Sequence, residues 1–421
     1  MKIEKSSLIA IFERCAFICL CLVALFLPFD KNLTKFFVYM LCLSSLLVFL
    51  LRSPFSLFGS PLRWPLLAFF GSFLIALLFS RNFDVSQEYF FTRFIFYGFI
   101  FLSIWGTVDT PAKIERIISM MIIAALFVVI DCGYQYIKGV DIIKAYPLAS
   151  TKETYIINAL SGPFGHYNQL GGYIGSLLLG IISLGLVCER KNCRGYALLL
   201  SLIFFPVLIL TYSRGSWLSL VAGGVVIVSV IYLLKLSGIR KIFSYLGTYI
   251  FIIVFLFGIF MFKFPQILGR LQLLVQFDLA NRESLWIQVF SIFREHPFVG
   301  VGPDCLPLYL TPPGQDAHNI LLEVLGEAGL IGLGGFLTFI TCYWVGVGVM
   351  MKHIDAQKRS LIPQIFFFLA VVVFTFIYNT TAVTLIGGWD LSIFFWINAG
   401  LLFKTLCLAN EKSGPPPHVL T

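Results

Sequence analysis

Three side chains stand where membrane physics or helix electrostatics makes them awkward. Arg214 lies in ILTYSRGSWLSL, between two apolar runs joined by almost no loop. A guanidinium at mid-membrane costs at least about 2.5–3.5 kcal/mol, so it snorkels, pairs or lines a functional cavity. One reading is a snorkelling arginine at an interface. The other is an anion-binding arginine at the mouth of a helical bundle, with Ser213 and the start of the next helix adding hydroxyl and N–H donors. Arg282 follows Asn281 and opens the amphipathic stretch RESLWIQVFSIFREH. A cation is poorly placed at a helix N-terminus, and a bound phosphate would reverse that penalty; an exposed arginine on a solvated helix is the plain alternative. His318 follows LTPPGQDA and precedes an apolar run. Imidazole suits proton transfer near neutral pH. Against that stands a solvated histidine capping or entering a helix through Leu322 and Leu325, with Asn319, Glu323 and Glu327 on another face. SGPFGHYNQLGGYIG sets His166 and Asn168 just before a span. Asn168 suits a helix cap, His166 a substrate contact, and Gly171 and Gly172 close helix packing. His296, before Pro297, reads as a turn residue.

Together these groups define a chemistry. Arginines grip pyrophosphate in bidentate fashion, and a histidine activates a hydroxyl nucleophile. The loops that carry them hold no Asp-x-Asp pair and no evident carboxylate site for a divalent cation, so guanidinium alone would stabilise a pyrophosphate leaving group. No metal and no cofactor are expected.

The elements that must position these groups are membrane helices. The chain has 421 residues, 59% hydrophobic and only 12% charged, with mean hydropathy +0.92. Soluble domains carry about 25% charged residues, so the fold class is an all-α polytopic membrane protein. The net charge of +9 sits mostly in short loops, as positive-inside topology requires. No Lys/Arg-rich run interleaved with aromatics occurs, so nucleic acid is not expected as a partner. A crossing helix needs about 20 apolar residues. That window gives about twelve spans, near 8–28, 33–51, 64–80, 89–107, 114–133, 169–188, 195–212, 215–235, 243–262, 329–351, 361–379 and 390–408. With both termini inside, the inner loops collect Arg52, Arg63, Lys113, Arg116, Arg190, Lys191, Arg194, Lys235, Arg240, Lys241, Lys352, Lys358 and Arg359. The outer short loops are poor in such residues.

The chain then divides into 1–262, nine spans with short loops and one outer loop near 131–168; 263–319, a large outer loop; 320–408, the C-terminal spans; and 409–421, a disordered tail. FPQILGRLQLLVQFDL and RESLWIQVFSIFREH have helical apolar spacing and are expected to lie over the outer mouth. The N-terminus lacks a small-residue cleavage site after its apolar stretch and reads as an uncleaved first span. The ten cysteines fall mostly in apolar runs, without zinc-site spacing. Cys305 is a lone thiol on the outer side, against a disulfide framework. No inverted repeat appears, and the spans are nearly free of charge apart from Arg14 and Arg93 near their ends. Both features speak against a lipid-linked oligosaccharide transporter.

TYSRGSWLSL, NRESLWIQVFSIFREHPFVGVGPD and AHNILLEVLGEAGLIG resemble, in order, the signature of the O-antigen ligase/polymerase superfamily, and GPFGHYNQLGGYI resembles its upstream element. The matching stretches span roughly 162–335, and the flanking spans match in hydropathy alone. His318-Asn319 followed by Gly329 and Gly332, and Arg214 followed by Leu218, fit the family pattern. The resemblance implies a C-type glycosyltransferase fold of about twelve transmembrane helices with a large periplasmic loop. It implies residence in the bacterial inner membrane and a site facing the periplasm. It further implies a glycan donor on undecaprenyl pyrophosphate, with transfer by inversion and without metal or ATP. Carried over motif by motif, Arg214 and Arg282 would bind the pyrophosphate and His318 would activate the acceptor hydroxyl. Asn319, Asn168, His166 and Ser213 would contact substrate. Within the superfamily, the histidine motif favours an O-antigen ligase, with lipid A-core as acceptor and membrane lipids around it. A polymerase joining lipid-linked repeat units is the alternative. A protein O-oligosaccharyltransferase, often with an added soluble domain, fits the short C-terminal stretch less well.

Overall fold

The computed structural model describes residues 5–52, 60–151, 156–236, 247, 251, 254–275, 282–387 and 389–411. The long apolar segments form α1 (Lys5–Phe26), α2 (Lys31–Leu51), α3 (Arg63–Leu78) and α4 (Phe83–Thr107, with a π-helical turn at Phe90–Phe94). They continue as α5 (Pro111–Lys138), α6 (Tyr167–Val187), α7 (Lys191–Leu210) and α8 (Arg214–Leu233). Next come α9 (Val254–Lys263), α10 (Gln266–Val275) and α11 (Arg282–Glu295). The chain closes with α12 (Ile320–Lys352), α13 (Ile362–Tyr378) and α14 (Trp389–Asn410).

Among the described residues ten helices are long and apolar enough to cross a membrane, or eleven if α9 and the start of α10, bent by 114°, count as one span. This is fewer than the expected twelve. α3 is apolar but only 16 residues long, and the span expected at 243–262 lies partly outside the described residues. The expected tail is likewise outside them beyond residue 411. α6 is the central helix: 94% of its apolar window is buried, against 33% in α1. It packs closely on α13, where a Cβ at Gly175 would stand 2.5 Å from the Phe374 ring. Small residues bring membrane helices together in this way.

The differences from the sequence reading include two helix boundaries and one loop. α5 continues to Lys138 rather than 133 and stops at Gly139, which is left-handed at φ 83°. The loop beyond it contains a two-stranded antiparallel ribbon, β1 (Ala149–Thr151) with β2 (Ile156–Ala159), in the register Ala149↔Ala159 and Thr151↔Ile156. α12 starts at Ile320, so the helix expected through Leu322 and Leu325 and the span expected at 329–351 form one element, and it is broken at Gly329 (φ 60°, ψ −156°).

The break in α12 has a local cause. Residues 297–302 thread into it. Leu330 N donates to Pro297 O (2.9 Å) and Ile331 N to Phe298 O (3.1 Å), while Val301 N donates to Gly326 O (3.0 Å) and Gly302 N to Glu327 O (2.9 Å). An interrupted membrane helix persists where protein satisfies the freed backbone groups. The approach requires glycine on both sides: a Cβ at Gly300 (φ 67°) would lie 2.3 Å from the Glu327 carbonyl carbon, and one at Gly329 2.4 Å from that of Phe298.

Candidate functional site

Arg214 is the first residue of α8, with Ser213 as its N-cap. The turn before it is held tightly. Tyr212 is left-handed at φ 55°, and Arg270 of α10 donates Nε and Nη2 to the Tyr212 carbonyl at 3.0 and 2.7 Å. Arg270 is 4% exposed, so this clamp lies inside the protein. Ser213 Oγ donates to Asn168 Oδ1 at 2.9 Å and shares a 2.9 Å bond with Ser216 Oγ. The α8 start is thereby tied to the first turn of α6.

The cap of α6 is His166, not Asn168: His166 Nδ1 accepts from Asn168 N at 3.2 Å. Asn168 instead uses its side chain on Ser213 and its carbonyl as acceptor for Tyr378 Oη at 2.9 Å. The loop leading to His166 is anchored on Gln135 of α5, whose Oε1 accepts from Ser161 N (3.1 Å) and Gly162 N (2.9 Å).

Arg282 is the first residue of α11. A small apolar cluster of Leu285, Val289, Leu306, Leu310 and Ala317 joins this helix to the segment that ends in His318. Polar contacts fix the same relation. Trp286 Nε1 donates to Ala317 O at 3.0 Å. Gln288 exchanges two bonds with the Thr311 backbone, at 3.1 and 2.8 Å. Ala317 N donates to the buried carboxylate of Glu323 at 2.6 Å.

His318 does not cap α12; Asn319 does, accepting from Leu321 N and Leu322 N at 3.0 and 3.3 Å. His318 precedes the cap in a left-handed conformation, φ 50°, which costs a side-chain-bearing residue on the order of 1–2 kcal/mol. Asp316 supports it: one carboxylate oxygen accepts from His318 N at 2.8 Å and lies 3.0 Å from His318 Nδ1. The segment after α13 closes the ring. Ile320 N donates to Asn379 O at 3.0 Å, and Asn319 Nδ2 reaches the Thr380 carbonyl at 3.5 Å.

The structure thus brings Ser213, Asn168, His166, Arg214, Arg282, His318 and Asn319 to one end of the bundle. Burial holds the Arg282 guanidinium below its ordinary range, and the nearby Arg214 cation pushes the same way. Partial desolvation and the neighbouring His318 push the His166 imidazole down, against the opposing Asp316 charge. Burial acts to raise Asp316, but its bonds to His318 and the charges of His318 and Arg282 leave it below the usual carboxylate range. Two guanidiniums in each other's field can pair with a multiply charged anion. An imidazole held by a carboxylate can take a proton beside it. Among the described residues no three His, Cys, Asp or Glu side chains gather as a metal site.

Three contributors were missed by the sequence reading. Asp316 carried a signal, a carboxylate two residues before the histidine. Arg270 lay in a stretch read for its apolar spacing. The Tyr378–Thr381 segment sat at the edge of a predicted span, where hydropathy is silent about polar side chains. His296 lies where a turn was expected, and its Nδ1 stands 3.3 Å from Arg81 Nη2. Cys305 is free and buried, beside Ser86 Oγ at 3.2 Å.

Fold and site together define an all-α polytopic membrane protein whose chemistry-bearing residues converge where four helix ends meet. Residues 197–337 match the family model described as O-antigen ligase. Over that stretch, about a third of the 421 residues, the chain is similar to the O-antigen ligase-like superfamily. No curated protein sequence matches it.

Proposed function

We propose that this protein is an O-antigen ligase. It transfers polysaccharide from undecaprenyl pyrophosphate to the lipid A-core oligosaccharide, in the periplasmic leaflet of the bacterial inner membrane. The observation that carries the reading is the convergence of Arg214, Arg282 and His318 at one end of the bundle, two cations and a base. The transfer is a single displacement. The acceptor hydroxyl oxygen attacks the anomeric carbon and its proton passes to His318 Nε2. The bond from that carbon to the phosphate oxygen breaks on the opposite face, so configuration inverts, and the electron pair leaves on undecaprenyl pyrophosphate. Arg214 and Arg282 stabilise the charge gained by the leaving group. No metal takes part in any step. His166 and Asn319 lie at the same end and contact the substrates, while Ser213, expected to do so, is fully buried and instead holds Asn168 beside the start of α8. The gap between lipid and water is where such a site belongs: the donor arrives in the bilayer and the hydroxyl arrives from outside.

The test is the glycolipid profile of a strain lacking the gene. A ligase leaves lipid A-core bare while full-length polymer accumulates on undecaprenyl pyrophosphate. Core carrying a single repeat unit would replace this reading with a polymerase.

A further inference from the structure

We infer that Asp316 is a positioning residue for His318, fixing which imidazole nitrogen takes the acceptor proton. The inference rests on the proposed role of His318 as the base. A single carboxylate oxygen of Asp316 accepts from the His318 backbone N–H at 2.8 Å and lies 3.0 Å from the ring Nδ1. The first bond holds the left-handed turn at φ 50°. The second makes Nδ1 the protonated nitrogen, because a carboxylate can only accept. Nε2 is then the free base, and the imidazolium formed during transfer keeps a negative partner. The carboxylate is itself held. Asp316 is followed by Ala317, which is fully buried, bonded through its N–H to Glu323 and through its carbonyl to Trp286. The charged groups that act on Asp316 are His318 and Arg282, and it acts in turn on His166 and on Glu323 of α12. Asp316 touches neither the sugar nor the pyrophosphate in this scheme; it acts through the histidine.

Asparagine at 316 is the informative change. Its side-chain oxygen can still accept from His318 N, so the turn survives while the charge is lost. In proteoliposomes with lipid-linked glycan and lipid A-core, Asp316→Asn should lower kcat by about 10²-fold, the lower end of general-base contributions. The donor KM should stay within about twofold. Asp316→Glu, which restores the charge one methylene further out, should recover part of kcat, and it serves alone if the asparagine variant does not accumulate. In a His318→Ala background Asp316→Asn should add less than about threefold, because residues acting as a unit are not additive. An equal loss in both backgrounds, or a rise in KM without a fall in kcat, would make Asp316 merely structural. An inactive His318→Ala beside a fully active Asp316→Asn overturns this inference and leaves the ligase reading intact. A fully active His318→Ala overturns the ligase mechanism itself.

Discussion

Ser213 Oγ donates to Asn168 Oδ1 at 2.9 Å, and this bond ties the start of the helix that begins with Arg214 to the start of the helix that begins after His166, where the two pack together at Gly171. Two segments 45 residues apart are thereby held at one depth in the bundle. The bond explains why Asn168 does not cap its own helix, since its side-chain oxygen is committed to the neighbour.

Losing that bond should loosen Arg214 without unfolding the protein. A net hydrogen bond is worth about 0.5–1.5 kcal/mol, so Ser213→Ala and Asn168→Ala should each lower kcat/KM by about two- to tenfold. The double variant should fall less than the product of the two, because both remove one contact. Kinetics on reconstituted variants decides this; full multiplicative losses would show that the two side chains act separately.

Arg282 should not tolerate lysine. A guanidinium presents a planar fork to phosphate and an ammonium does not. Arg282→Lys keeps the charge yet should reduce transfer by about 10²-fold, the scale of losing one preorganised donor to a developing anion. Initial rates at saturating donor measure it, and wild-type rates would mean that charge alone suffices.

Gly300→Ala and Gly329→Ala should both destabilise the fold, since each adds a Cβ within 2.4 Å of backbone carbon at positive φ. Gly334→Ala is the control: its helix is the same and nothing lies within 4 Å of the added carbon. Melting temperatures in detergent should fall for the first two and hold or rise slightly for the third, because alanine is the better helix former. Equal behaviour of all three would contradict the threaded break in α12.

Asp316 also contributes to stability in a defined pH window. Its pKa is lowered in the folded protein, so the contribution is present above the ordinary aspartate range near about 4 and is lost as pH falls through the lowered value. The gap in melting temperature between wild type and Asp316→Asn should therefore be present above that range and shrink on acidification below it. A gap that widens on acidification would reverse the sign of the interaction.

Much of the architecture was legible because hydropathy reports burial in lipid and little else is needed to place a span. Arg214, Arg282 and His318 stood out for the converse reason: polar groups beside apolar runs are costly, so their positions carry information. That the helix through Leu322 and Leu325 and the span from 329 are one broken element was hidden, because its first half packs against residues 297–302 at Gly329, a tertiary arrangement with no local signature. The ribbon at 149–159 is too short for an alternation pattern. Asp316 was overlooked because a carboxylate in a Pro/Gly stretch looks like turn chemistry until its partner is seen. The polar Tyr378–Thr381 segment matters only through long-range bonds to Asn168, Asn319 and Ile320.

The most direct test of the account is transfer by the purified protein in proteoliposomes. Undecaprenyl-pyrophosphate-linked polysaccharide and lipid A-core are supplied, with chelator and without nucleotide. The wild-type protein should form a covalent polysaccharide–core product, and His318→Ala, Arg214→Ala and Arg282→Ala should each lose it. Movement of the donor across the bilayer without product, or undiminished product from the three variants, would contradict the account.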